Sequence, residues 1–213
     1  MRKPATLTLL GCSLLATAAA QPAAAQVGKN GGVLYANLAT KEQLAALPQL
    51  DAAAVDAVLK ARPFLDMLAL DRALAGALAP ERRKELYGRL FVPINLNTAT
   101  REEILLVPGV GNRMAHEFEE YRPYDSLARF RREIGKYVDA AEVARLEQYV
   151  FVPVELNTAS EADILTIPGV GQRMLHEFLE YRPYKNIEQF RREIGKYVPK
   201  EEVARLERYV TIR

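Results

Sequence analysis

The chain has 213 residues, of which 49% are hydrophobic, 26% are charged and one is a cysteine. A single thiol excludes a disulfide framework and a thiolate metal cluster, so the fold must be held together by apolar burial. The formal net charge is only +2, from 29 basic and 27 acidic residues, which excludes the strong general attraction for nucleic acid that a basic protein has.

The first 25 residues predict an export signal. Arg2 and Lys3 give a positive start, an apolar stretch runs from Leu7 to Ala20, and Ala23 to Ala25 form a small-residue cleavage site. We therefore expect a mature chain that begins at Gln26 and lies in the periplasm or outside the cell. No later stretch is long and apolar enough to span a membrane.

A second interpretation of this segment is a lipoprotein signal. Leu9-Leu10-Gly11-Cys12 resembles a lipidation box, which would leave a lipidated Cys12 at the new terminus. The apolar stretch before the box is shorter than signal peptides need, so we favour simple cleavage. Removing Arg2 and Lys3 from the 29 basic residues leaves 27, equal to the 27 acidic residues, so the mature chain is neutral.

The mature chain is built from internal repeats with an offset of sixty residues. Residues 93–150 laid over 153–210 without a gap give 38 identities in 58 positions. The same offset carries Asn37-Leu38-Ala39-Thr40 onto Asn97-Thr98-Ala99-Thr100. After a leader at 26–33, we predict a first repeat at 34–92, a second at 93–152 and a third at 153–213.

Each repeat predicts four helices and an all-α fold. In the second repeat, Thr100-Arg101-Glu102-Glu103 is a capping pattern before a short first helix that ends at Pro108. A second helix is predicted from about Arg113 to Tyr121, a third from about Ser126, and a fourth after Asp139. The joints 90–94 and 149–154 are apolar and extended, so we expect packed joints in a semi-rigid row of three helical units.

One phrase occurs twice between the first and second predicted helices. It reads Val107-Pro108-Gly109-Val110-Gly111 in the second repeat and Ile167-Pro168-Gly169-Val170-Gly171 in the third. Proline ends the preceding helix, and glycine permits a tight turn and close approach to the backbone. The next helix begins with amides that lack intrahelical partners and carry the positive end of its dipole. Such a terminus suits a phosphate oxygen.

With its flanking Leu96-Asn97-Thr98-Ala99-Thr100 and Glu120-Tyr121-Arg122-Pro123-Tyr124, this phrase resembles the ComEA-like helix-hairpin-helix family of exported DNA-binding domains. The resemblance covers most of residues 94–213 and recurs weakly in 34–92. It implies sequence-independent binding of double-stranded DNA through hairpin amides, with a role in DNA uptake during competence or in binding extracellular DNA. The expected DNA ligands are the amides of Gly109, Val110, Gly111, Asn112, Gly169, Val170, Gly171 and Gln172.

Two arginines follow these glycines. Each arginine, Arg113 or Arg173, could make a bidentate contact with the phosphate bound at its own hairpin. Alternatively, each could pair with the glutamate four positions on, Glu117 or Glu177. The first repeat instead reads Leu47-Pro48-Gln49-Leu50-Asp51. An aspartate would repel a phosphate and enter its approach path, so we predict that this repeat is a degenerate cap or a site for a protein partner.

A second basic turn follows in each repeat, at 131–136 and 191–196. A glutamate replaces the first glycine of the family pattern there, so amide binding at this turn is in doubt. The basic side chains could hold the opposite DNA strand, or could be neutralised by Glu133, Glu142 and their equivalents. The candidates are Arg131, Arg132, Lys136, Arg191, Arg192 and Lys196.

The sequence points to no enzyme. His116 and His176 each precede a glutamate on a helix, yet no second histidine follows four residues later, so we predict no metal site, no catalytic residue and no cofactor. Tyr121, Tyr124 and their equivalents could stack on bases but more often pack a junction. The rival hypothesis is a periplasmic scaffold that binds a protein partner through its helical repeats.

Overall fold

The computed structural model describes Gly28 and residues 31–213. The predicted signal at 1–25, with its possible lipidation site, lies outside the described residues. Within the described part, helices dominate and strands are only two residues long. None of the helices described is long and apolar enough to cross a membrane.

One order of elements recurs in the three repeats: a short strand, four helices and a second short strand. The first repeat contains β1 (Leu34–Tyr35), α1 (Lys41–Ala45), α2 (Ala52–Ala61), α3 (Met67–Ala75), α4 (Pro80–Tyr87) and β2 (Leu90–Phe91). The second contains β3 (Ile94–Asn95), α5 (Arg101–Leu105), α6 (Asn112–Glu120), α7 (Leu127–Ile134), α8 (Ala140–Leu146), a 3-10 turn (Glu147–Tyr149) and β4 (Val150–Phe151). The third contains β5 (Val154–Glu155), α9 (Glu161–Ile164), α10 (Gln172–Glu180), α11 (Ile187–Ile194), α12 (Lys200–Glu207) and β6 (Val210–Thr211).

The fold is mostly helical, and its two-residue strands are a feature that the expected all-α fold did not include. Each repeat pairs its first strand with its last in a parallel two-stranded sheet: β1 with β2, β3 with β4, and β5 with β6. In the second repeat Ile94 is opposite Val150 and Asn95 is opposite Phe151. This pairing ties the two ends of each repeat together. The apolar joints therefore belong to the core as well as linking the repeats.

The first helix of every repeat begins as its sequence predicts. Thr40, Thr100 and Ser160 each accept a hydrogen bond from the amide three residues on, and that residue's side chain accepts one from the cap amide. Reciprocal capping satisfies two donors that a helix would otherwise leave unpaired. It fixes the start of a helix that is only four or five residues long.

The flanking motifs form a clasp within each repeat. The side-chain amide of Asn97 donates to the Tyr124 carbonyl at 2.8 Å and accepts from the Tyr124 amide at 2.6 Å. Arg122 donates to the carbonyls of Leu96 and Ala99 at 2.6 and 2.7 Å. The same contacts recur in the other repeats at Asn37 with Phe64, Arg62 with Ala39, Asn157 with Tyr184, and Arg182 with Ala159. Within each repeat, these motifs therefore join the segment after the first strand to the segment after the second helix.

Contacts between the repeats extend beyond the two apolar joints. Buried side chains of the first and second repeats form one continuous apolar cluster, and the third repeat has its own. The first repeat also reaches past the second, because the methyl groups of Leu38 lie beside Gly169 in the third. Arg208 of the third repeat donates to the carbonyl of Pro93 at 2.8 Å. Side-chain contacts between repeats distant in sequence cannot be inferred from the repeat pattern.

The clasp predicts a cost for losing one side chain. Asn97→Ala removes the partners of a buried tyrosine's backbone groups, so we expect it to lower the free energy of unfolding by about 1–3 kcal/mol. Urea denaturation followed by circular dichroism measures this. Thr98→Ala, at an exposed neighbouring position, is the control and should change stability by less than about 0.5 kcal/mol. Equal effects of the two substitutions would contradict a structural role for Asn97.

Candidate functional site

The phrase at 107–111 and 167–171 forms a tight turn, which we call the Gly-Val-Gly hairpin of the second or third repeat. Gly109 has a φ of +79° and Gly169 a φ of +83°, which side chains disfavour. The Val110 amide donates to the Val107 carbonyl at 3.0 Å, and the Val170 amide donates to the Ile167 carbonyl at 3.0 Å. The first glycine is therefore needed for the shape of the turn.

The same hydrogen bonds correct one part of the predicted site. Val110 and Val170 were expected to offer their amides to a ligand, yet each amide already donates within its turn. Both side chains are only 8% exposed. These valines anchor the hairpin to the core, so we no longer expect their amides to bind a ligand.

The second glycine of each hairpin has no structural need to be glycine. Gly111 and Gly171 have φ values of −100° and −103°, extended conformations that other residues adopt. If either glycine carried a Cβ atom, no atom of the described chain apart from those of the adjoining residues would lie within 4 Å of it. Both glycines are exposed. Their lack of a side chain leaves space open in front of the helix that follows.

That open space faces bare amides. Gly111 precedes α6 and Gly171 precedes α10, and neither helix has a side-chain cap. In the described chain, the amides of Asn112, Arg113 and Met114 donate to no other group, and the same holds for Gln172, Arg173 and Met174. Except for the half-buried methionines, these residues are exposed. Each hairpin thus presents unpaired donors and the positive end of a helix dipole to solvent.

The first repeat shows the same helix start with its amides satisfied. Asp51 stands sixty residues before Gly111, and its carboxylate accepts a hydrogen bond from the Ala54 amide at 2.8 Å. Ala54 is the counterpart of Met114 and Met174. An oxygen anion within the chain therefore occupies the place that the other two repeats leave empty.

The arginines after the hairpins remain free to bind a ligand. Arg113 and Arg173 are exposed, and among the described residues neither forms an ion pair. The alternative pairing with Glu117 or Glu177 does not form. Each guanidinium stands on the first turn of its helix, within reach of an anion at the bare amides.

Sequence reasoning missed two further arginines beside the hairpins. The Nη2 atom of Arg145 lies 3.0 Å from a Cβ built on Gly109, and Arg145 pairs with Glu142 at 2.6 Å. Arg205 lies correspondingly beside Gly169 and pairs with Glu202 at 2.6 Å. Both arise from the fourth helix of their repeat. Their common position sixty residues apart was visible in the sequence, but their proximity to the hairpin was not.

The basic turns at 131–136 and 191–196 are engaged within the protein. In the second repeat, Arg131 pairs with Glu147 at 2.5 Å, Arg132 pairs with Glu133 at 2.8 Å, and Lys136 also pairs with Glu133. The Lys136 ammonium, together with Arg132, lowers the pKa of the Glu133 carboxyl. In the third repeat the pairs are Arg191 with Glu207, Arg192 with Glu193, and Lys196 with Glu193.

The amides of these turns are also satisfied. Gly135 donates to the Arg131 carbonyl at 2.9 Å, and Lys136 donates to the Glu133 carbonyl at 3.3 Å. The structure thus supports the hypothesis of neutralised side chains, with Glu147 rather than Glu142 as a partner. The prediction that these six basic side chains contact DNA therefore loses its main support.

The remaining candidate side chains serve the surface or the core. His116 and His176 are exposed, and the described residues contain no group of three metal-ligating side chains. Tyr124 is buried against Phe130, and the Tyr121 hydroxyl contacts that of Tyr137 at 2.8 Å. These tyrosines pack within a repeat.

Comparisons with known proteins give one partial similarity. The chain is 28% identical over 130 residues to Endonuclease/exonuclease/phosphatase family domain-containing protein 1 of Xenopus laevis. The match covers 45% of this chain and 23% of the relative, so the chain spans under a quarter of that protein. No protein-family model matches the chain, and no solved structure matches it.

The two glycines of one hairpin should respond differently to alanine. Gly109→Ala forces a side chain into a left-handed conformation and against Arg145, so we expect a loss of roughly 1–2 kcal/mol in unfolding free energy. Gly111→Ala meets open space in an ordinary conformation and loses only the preference of an N-cap for glycine over alanine, so it should cost about 0.5 kcal/mol, less than Gly109→Ala. Denaturation of the two variants in parallel measures the difference. A large loss at Gly111 would mean that its glycine serves the fold.

Proposed function

We propose that this is an exported, non-enzymatic protein that binds the phosphate backbone of DNA without regard to sequence. Its second and third repeats would act as helix-hairpin-helix units of the kind found in the ComEA-like family. One observation carries the proposal: the helix start that Asp51 caps in the first repeat is left bare at Gly111 and Gly171. A phosphate oxygen supplies the acceptor that those amides lack.

Sequence independence follows from the chemistry of the donors. Backbone amides at a helix terminus contact phosphate oxygens, which are the same in every nucleotide and carry no sequence information. Arg113 and Arg173 would add a charge-assisted hydrogen bond to the same phosphate. No base edge needs to be reached by these groups.

The electrostatics predict modest affinity for each hairpin. The cations of the basic turns are paired with carboxylates, so Arg113 and Arg173 are the main free charges near the two hairpins. Neutralising two phosphates gives a salt slope of roughly −2 in log affinity against log salt. Two linked hairpins would bind more tightly than either alone because binding of the first raises the effective concentration of the second.

The partial relative is compatible with this proposal and does not extend it. Its name refers to an endonuclease/exonuclease/phosphatase family domain. The match covers 23% of that protein, so no catalytic activity is transferred from it. The groups exposed at the two hairpins are amides and arginines, which bind phosphate without cleaving it.

The proposal is tested by titrating the protein from Gln26 onward with short fluorescent duplexes of unrelated sequence at 50 and 200 mM salt. We expect equal affinities for all sequences and weaker binding at the higher salt concentration. Single strands of the same length serve as a comparison. Absence of binding at the lower salt concentration would overturn the proposal.

Introducing the first repeat's cap into the other repeats is the sharpest variant. Gly111→Asp with Gly171→Asp should leave thermal stability unchanged or slightly higher, because aspartate caps a helix at least as well as glycine. DNA affinity should fall at least about tenfold, because a carboxylate occupies the amides and repels phosphate. Fluorescence anisotropy measures the affinity and calorimetry the stability.

The matched control is Gly111→Asn with Gly171→Asn, which caps the helices without adding charge. It should weaken binding less than the aspartate pair does. These positions are better than Gly109 and Gly169, where a side chain would also strain the turn. Full DNA affinity in the aspartate variant would show that the bare amides are not the contact.

A scaffold that binds a protein partner remains the second candidate. The pairing of all six cations of the basic turns favours it, because a DNA-binding surface would gain from leaving them free. A purified partner that binds equally well to the Gly111→Asp, Gly171→Asp protein, together with no DNA binding by the unmodified protein, would establish this candidate.

A further inference from the structure

The two Gly-Val-Gly hairpins have nearly the same sequence but different surroundings. The Arg205 side chain beside the third-repeat hairpin is 2% exposed, whereas the equivalent Arg145 side chain is 33% exposed. Arg205 donates to the Pro168 carbonyl at 2.7 Å, and no corresponding bond joins Arg145 to Pro108 in the described chain. Pro168 is buried and Pro108 is only half-buried.

The first repeat lies beside only one of the two hairpins. The Cδ2 and Cδ1 atoms of Leu38 lie 3.3 and 3.5 Å from a Cβ built on Gly169. No atom of the first repeat is among the nearest neighbours of Gly109. Thr98 and Thr158 stand at the position of Leu38 in the other two repeats. Only the first repeat therefore offers an apolar side chain at this point.

We propose that the first repeat braces the hairpin of the third repeat, with Leu38 and Arg205 as the positioning residues. Leu38, which is 41% exposed, covers part of the turn at Gly169 with its methyl groups, and Arg205 donates to the carbonyl of the preceding proline. The hairpin is thereby held in one conformation between two repeats. Gln172 and Arg173, whose amides are bare, stay exposed, so the brace restrains the turn without covering the donors.

This brace makes the two hairpins unequal as binding sites. A turn that is already ordered loses less conformational freedom when a ligand binds, so the third-repeat hairpin should bind phosphate more tightly than the second. This consequence rests on the proposed function, whereas the brace itself does not. The first repeat, whose own helix start is capped by Asp51, thus contributes to binding by supporting another repeat.

The brace is tested first without DNA, by hydrogen exchange of backbone amides in the full protein. Leu38→Thr installs the residue that the other repeats carry, so it should fold. Exchange of the Val170 amide, which donates to the Ile167 carbonyl, should become at least about fivefold faster, while exchange of the equivalent Val110 amide should stay unchanged. Unchanged exchange at Val170 would overturn the proposal, and so would an equal increase at Val110.

A pair of glycine substitutions gives a second readout. Gly169→Ala and Gly109→Ala introduce the same backbone strain, but the methyl group at Gly169 also meets Leu38 and buried Arg205. Gly169→Ala should therefore lower the unfolding temperature more than Gly109→Ala does. Adding Leu38→Ala should restore part of the unfolding temperature that Gly169→Ala loses and none of that which Gly109→Ala loses. Equal losses that Leu38→Ala leaves unchanged would contradict the brace.

The binding consequence is measured with one hairpin blocked at a time. In a Gly111→Asp background, where the third repeat carries the binding, Leu38→Thr should weaken DNA affinity at least about threefold. In a Gly171→Asp background the same change should have no effect. Equal effects in both backgrounds would overturn the proposal. If neither background nor the unmodified protein binds DNA, the proposed function fails and hydrogen exchange alone decides on the brace.

Discussion

The candidate site depends on one constraint: a helix that starts immediately after a tight turn has amides that need acceptors from outside the helix. The first repeat meets this constraint with the carboxylate of Asp51. The second and third repeats place glycine at the same position and leave the amides to solvent. The same helix start is thus closed by the chain in one repeat and open in two, and the proposed binding site rests on this difference.

The first repeat acts as an internal control for deciding which motifs serve the fold. The asparagine and arginine clasp is present in all three repeats, including the one whose helix start is capped. The capping boxes and the parallel strand pairs are also present in all three. Because these features persist where the glycines do not, they belong to folding. Neither conformation nor packing requires the glycines at 111 and 171, so the proposed function rests on these two positions.

Local chemistry made much of this architecture predictable. Capping residues, prolines and apolar spacing located the helices of the second and third repeats to within a few positions, because each signal acts within about one helical turn. The two-residue strands were not predicted, since so short a segment carries no periodic pattern. The hydrogen bond of Val110 inside its turn was also missed, because it depends on the turn's detailed geometry.

Contacts between repeats set the limit of the sequence prediction. Leu38 and Gly169 are separated by more than two repeat lengths, and nothing in either phrase specifies that they meet. The ion pairs of the basic turns likewise depend on Glu147 and Glu207, which lie on a later element of the same repeat. A cluster of three cations within six residues resembles a binding patch in sequence. It becomes a neutral surface once those carboxylates fold against it.

This neutralisation also reconciles a balanced net charge with phosphate binding. A helix terminus carries about half a positive charge that formal counting omits, and at each hairpin it lies beside an arginine without an ion-pair partner. The proposed attraction would therefore be local to two points on a chain whose formal net charge is only +2. Attraction at two fixed points gains strength mainly from how well the points are held relative to each other, because linked weak contacts bind tightly only when their geometry lets both engage. The proposed brace from the first repeat would fix the position of the third-repeat hairpin. The first repeat, whose own helix start is capped, would thus contribute to binding through this support.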